Sequence, residues 1–213
     1  IHICISLKIK INCCSLVSLK LENGWADLYQ GKWYEISKFL QPNEVGGKCA
    51  QAEYTLDGDM VKVKNTHVVN GVQAFIEGTA KLADDANKAA KLVVTFKFGG
   101  KIVFTTTRDS PLTVVATDYT NYAIAYNCKY DDKAKTHQDS AWILSRTQKL
   151  EGDAKTAVDN FLKTHAKELD ASKLVQTDFS EEACKFNGSS LYLNHTLLLF
   201  KKIGSLMPSL VLV

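Results

Sequence analysis

Five histidines and six cysteines are the residues of this 213-residue chain whose types could do chemistry. The histidines, at positions 2, 67, 137, 165 and 195, have no spacing that would bring two of them to one metal ion. The cysteines, at 4, 13, 14, 49, 128 and 184, contain no Cys-x-x-Cys, and the adjacent pair Cys13-Cys14 is a poor clip for an ion. Cysteines spread so widely fit long-range disulfides made in an oxidising compartment. Buried free thiols in a reducing one are the alternative. The chain has no Gly-x-Ser-x-Gly, phosphate loop or His-Glu-x-x-His. The expectation is no catalytic residue, no metal and no catalytic cofactor. A net charge of +3, without a run of five basic residues, gives no ground for a nucleic-acid partner. Hydrophobic residues at 46% and charged ones at 23% are ordinary for a folded domain.

What remains is binding, and its candidates are polar residues set into apolar faces. Val61, Val63, Asn65, His67 and Val69 alternate with Lys62, Lys64, Thr66 and Val68. Such a period of two marks a strand, and it carries Asn65 and His67 on its apolar side. Asn70-Gly71 follows, the strongest short signal for a hairpin turn. The return strand, 73–81, brings Ile76. The next, 91–98, has Leu92, Val94, Phe96 and Phe98 on one face and ends at Gly99-Gly100. Strands over 101–107, 112–117, 122–129 and 137–146 complete the run, and 32–39 and 48–56 precede it. The inward faces of the later strands carry Val103 and Thr105, then Asn127 and Lys129, then Gln138, Ser140 and Trp142.

Eight or nine strands joined by short turns form a meander with one buried face and two open edges. Closure into an up-and-down barrel removes those edges. A sandwich is the alternative, because alternation alone does not separate the two. One amphipathic helix follows, with Asp153 as its expected N-cap and Ala154, Ala157, Val158, Phe161, Leu162 and His165 on its apolar side. It would dock on the outside of the barrel. A short extended piece, 173–177, could add to a sheet edge. The expected fold class is mainly β, an eight-stranded antiparallel barrel with one C-terminal helix packed outside.

Three short patterns lie on this frame. Gly31-Lys32-Trp33 opens the first strand, Thr117-Asp118-Tyr119 lies in the turn between the sixth and seventh, and Ser145-Arg146 closes the eighth. Together, in this order, they resemble the three signature regions of the lipocalin family. Trp33 can plug one end of the barrel, and Arg146 can stack over it as a cation–π lid. Longer segments resemble the insect bilin-binding proteins and insecticyanins, relatives of apolipoprotein D: 126–131 (Tyr-Asn-Cys-Lys-Tyr-Asp), 141–146 (Ala-Trp-Ile-Leu-Ser-Arg) and 178–184 (Asp-Phe-Ser-Glu-Glu-Ala-Cys). The resemblance covers 22–187, which is the expected barrel domain. It leaves an N-terminal segment, 1–21, and an apolar tail, 188–213, outside.

The resemblance implies a non-covalently bound biliverdin, a role as pigment carrier, and secretion into a haemolymph-like fluid. It implies the disulfides Cys14–Cys128 and Cys49–Cys184. For the first, Cys13 is an alternative to Cys14, because the proline that normally follows this cysteine is missing, and Cys4 is left over. The twelve inward residues match pocket positions of the subgroup. Ile76, Phe96, Phe98, Val103 and Trp142 offer walls for a flat conjugated ligand. Asn65, His67 and Gln138 offer partners to its ring and lactam groups, and Lys129 and Lys101 offer cations to its propionates. A lipocalin enzyme that isomerises prostaglandins uses an interior cysteine. Here the two cysteines of the barrel region match disulfide positions, so neither catalysis nor a covalent bilin is expected. Other readings stay open: a general carrier of fatty acids, retinoids, carotenoids or hormones, a haem lipocalin through His67, a homo-oligomer, and a surface form lipid-anchored through the tail. No stable membrane insertion is expected.

Overall fold

The computed structural model describes residues 2–3, 16–21, 24–40, 46–98, 106–131, 133–186, 188 and 190–192. Its strands are β1 (His2–Ile3), β2 (Gly31–Phe39), β3 (Lys48–Asp57), β4 (Met60–Val69), β5 (Val72–Leu82), β6 (Lys91–Phe98), β7 (Thr106–Thr117), β8 (Tyr122–Asp131), β9 (Thr136–Ser145), β10 (Leu174–Gln176) and β11 (Ser190–Tyr192). The helices are α1 (Trp25–Tyr29), α2 (Gly152–Thr164) and α3 (Glu181–Cys184). From β2 to β9 each strand pairs antiparallel with the next, and β9 returns to pair β2, from Tyr34↔Ser145 to Lys38↔Trp142. The sheet is therefore a closed eight-stranded barrel, and the sandwich alternative falls away.

Local sequence explains the turns and the two cores. Asn70 and Gly71 both take left-handed backbone, φ 51° and 72°, the hairpin geometry that suits strand twist. Alternation then divides the side chains. One set, including Trp33, Val63, Ile76, Phe96, Ala125, Trp142 and Leu144, packs inside the barrel. The intervening set, including Phe39, Ile124, Tyr126, Ala141 and Ile143, packs outside, beneath Val158, Phe161 and Leu162 of α2. At the closed end, Leu19 and Leu21 pack on the inner core, and Leu19 is tied to the base by its amide to Val114 O and by Ala90 N–H to its own carbonyl.

Two expectations need correction. Strands at 101–107 and 112–117 were expected as separate elements, but β7 runs unbroken from Thr106 to Thr117. Pro111 pairs only with Val93 of β6, and β8 joins β7 only from Thr113 onward, so the proline sits where one flank is unpaired. Asp153 lies inside the first turn of α2 rather than capping it, and the cap position is Glu151. Its carboxylate there favours the helix dipole instead. Residues 101, 103 and 105, Cys4, Cys13 and Cys14, and most of the two terminal segments lie outside the described residues.

Candidate functional site: the barrel interior

The closed end gathers the three short patterns of the sequence. The Arg146 guanidinium carbon stands 3.7 Å above the Trp33 ring. Its nitrogens donate to five carbonyl contacts: Gln30 O at 2.7 Å, Leu28 O at 3.0 Å, Lys32 O at 3.1 Å, and Tyr119 O at 3.0 and 3.2 Å. Gly31 sits beside the guanidinium in left-handed backbone, φ 89°, a conformation that favours glycine. Asp118 builds the turn that presents Tyr119. Its carboxylate accepts from the amides of Thr120, Asn121 and Tyr122 and from the Asn121 side chain. Partial burial raises its pKa, but these hydrogen bonds outweigh burial and hold it below the usual carboxylate range. Thr117 completes the turn by donating to Tyr122 O and accepting from Tyr119 N–H. Trp33 itself is fully buried and donates its Nε1–H to Tyr29 O at 2.9 Å. Two narrow clefts flank Tyr29, of about 260 and 240 Å³ counting space open to solvent, lined by Trp25, Leu92 and neighbours.

Above this floor the interior turns polar. Gly78 of β5 pairs with Phe96 of β6, and a side chain on Gly78 would collide with the Thr95 carbonyl oxygen and with the Phe96 ring. Next along β4 come Asn65 and His67, both buried. A side chain on Gly47 would begin 3.5 Å from the His67 ring. Burial, then the nearby Lys38 ammonium, lower the His67 pKa to about 4, so the imidazole is neutral at pH 7. Its Nε2 is buried without a hydrogen-bond partner, and so is the Nε1–H of Trp142.

A buried ion pair lies on the same wall. Lys38 Nζ is 3.2 Å from Glu35 Oε1, and both side chains are buried. Trp33 and Glu35 point inward by strict alternation. A bulge between Glu35 and Ser37 then shifts the register, so that Lys38 pairs with inward-facing Trp142 and also points inside. Beyond Tyr34, β3 leaves β2 and β10 takes its place on that edge. Thr177, the residue after β10, donates from its amide to Ile36 O and from Oγ1 to Glu35 Oε1 at 3.3 Å. Cys49–Cys184, Cys49 N–H to Asp178 O, and the Lys48–Asp178 ion pair stitch this segment to the start of β3.

Comparison with known proteins decides the family. Residues 30–181 match the model of the Lipocalin / cytosolic fatty-acid binding protein family. The chain is 47% identical over 161 residues to Insecticyanin-B of Manduca sexta, covering 75% of this chain and 76% of that protein. It is 46% identical over 163 residues to the Bilin-binding protein of Pieris brassicae, covering 76% and 82%. The structure of insecticyanin from the tobacco hornworm superposes with a TM-score of 0.75 at 42% identity, covering 83% of this chain and 90% of that one. The chain is a lipocalin. As such it is a carrier of small hydrophobic ligands, and the barrel interior is where a carrier of this shape holds them.

Five of the twelve expected residues lie buried in that interior of the lipocalin. Asn65, His67, Ile76, Phe96 and Trp142 are buried in it. Asn127 and Ser140 are half-buried partners across β8 and β9, and Gln138 and Lys129, paired one step nearer the strand ends, are exposed. Phe98 is the last residue of β6, and its side chain, like Val103 and Thr105, lies outside what is described. Cys49–Cys184 is formed, and Cys128 is disulfide-bonded to a partner outside the described residues. Glu35, Lys38 and Thr177 were missed. Period two from Trp33 would have placed Glu35 inside, but nothing in the sequence announces the bulge that turns Lys38 inward.

Proposed function

We propose that this lipocalin is an extracellular carrier that binds biliverdin non-covalently and serves as a pigment protein, without catalysis. The observation that carries the reading is that His67 Nε2 and Trp142 Nε1 are buried in the barrel without hydrogen-bond partners. Buried polar groups are normally hydrogen-bonded, and a bilin combines flat apolar rings with a few nitrogens and oxygens. Identity of 46% to a protein named for bilin binding adds to it. Both barrel cysteines are in disulfides, so among the described residues no thiol is left to attach a bilin or act as a nucleophile. The same disulfides favour an oxidising, extracellular setting.

Phe96, Ile76 and Trp142 would form walls for the tetrapyrrole, joined by Phe98, Val103 and Thr105 if alternation holds there. Asn65, His67 and Gln138 would meet ring and lactam groups, with Asn127 and Ser140 beside them. Lys129 is exposed at the end of β8, where a propionate would reach water. Biliverdin supplies the visible absorption. Titrating the protein with biliverdin and recording the visible spectrum tests the reading. A structured, shifted long-wavelength band that saturates at one equivalent with sub-micromolar affinity is expected. No spectral change contradicts it, and displacement of a fluorescent probe by retinoids or fatty acids would then mark a general carrier.

A further inference from the structure

The chain has three tryptophans, and their indole N–H groups are not in the same state. Trp33 Nε1–H is satisfied by Tyr29 O at the closed end. Trp142 is 5% exposed, faces the interior, and its Nε1–H has no acceptor. Buried indole N–H groups usually find a partner. Indole can only donate, so what it lacks is an acceptor. Lys38, directly opposite on β2, is also donor-only, and its charge is already matched by Glu35. His67 Nε2 is likewise buried without a partner.

We propose that Trp142 Nε1–H, beside Lys38, is a donor subsite that takes a neutral carbonyl oxygen of the ligand. A carbonyl fits better than a carboxylate. The Glu35 carboxylate already occupies Lys38, and a second anion buried beside it would be repelled. For a bilin the carbonyl is a terminal lactam oxygen, which sends that ring into the barrel and leaves the propionates toward Lys129. This last identification rests on the bilin reading; the donor subsite does not.

The test is Trp142→Phe, which keeps an aromatic wall and removes the N–H. The probes are biliverdin, its dimethyl ester and all-trans retinal. Expected is a loss of about tenfold in affinity for biliverdin and ester alike, the worth of one buried hydrogen bond, with a changed visible band. The melting temperature of the ligand-free variant should stay the same or rise, because a buried donor without a partner is removed. A purely structural role for Trp142 would instead lower it. Loss confined to the diacid would assign the subsite to a carboxylate and overturn the proposal, as would unchanged affinity for every probe. If the wild-type protein shows no biliverdin band, the bilin reading fails on its own. Retinal then decides: weaker binding to Trp142→Phe supports the carbonyl subsite, and equal or absent binding overturns it.

Discussion

The two ends of the barrel treat polar groups in opposite ways. At the closed end, one guanidinium answers the carbonyls of Leu28, Gln30, Lys32 and Tyr119 and covers Trp33, whose own N–H is satisfied. In the open half, His67 Nε2 and Trp142 Nε1 are buried and unanswered. The closed end is nearly complete within the chain and therefore serves stability. The open half is incomplete within the chain, which is what a binding site looks like before its ligand arrives. The division is not absolute, since the Tyr29 hydroxyl is also buried without a partner. It borders the two clefts beside Trp25 and Leu92.

Substitutions can break this contrast. Arg146→Ala should have the largest effect. It strands four carbonyls and uncovers Trp33, for a loss of about 4 kcal/mol and a fall in Tm of roughly 10 °C. Biliverdin affinity at 20 °C should hardly change, and calorimetry with a visible titration would check both. Next comes the double change Cys49→Ser, Cys184→Ser. It releases the segment that carries Thr177 and should cost about 3 kcal/mol. If melting is unchanged, the 49–184 bridge has no part in closing the wall between β2 and β3.

His67 gives the third effect, seen through pH. Its folded pKa is depressed, to about 4 from 6.5. Between those values the unfolded chain takes up a proton that the folded chain refuses. Stability present above pH 6.5 is therefore lost as pH falls toward 4, by about 2 kcal/mol at pH 5. His67→Gln should flatten the melting curve over that window and leave Tm at pH 7 nearly unchanged. An identical pH profile in the variant would show that the imidazole is not held neutral by the barrel.

How much of this could be read from residues alone follows the same division. Trp33, Asp118 and Arg146 were legible because their jobs depend on type and order along the chain. Asn65 and His67 were legible because β4 keeps strict alternation from Val61 to His67. Lys38 was not, because a one-residue bulge reverses the face and leaves no mark in composition. The unbroken β7 was not legible across 108–111, where Pro111 stands beside an unpaired flank that only the pairing shows. Trp142 was legible as a wall residue, but whether its N–H finds an acceptor depends on what lies within 3 Å across the barrel. Thr177 reaches Glu35 over 142 residues of chain, a separation that no local pattern spans.

One spectrum can set the two ends against each other. In a ¹H–¹⁵N correlation of the uniformly labelled protein, the indole N–H groups of Trp25, Trp33 and Trp142 give separate signals, assignable by Trp→Phe variants. On saturation with biliverdin, the Trp142 signal should move by a large amount while that of Trp33, locked to Tyr29 O beneath Arg146, stays in place. A spectrum in which Trp33 moves and Trp142 does not would contradict the account.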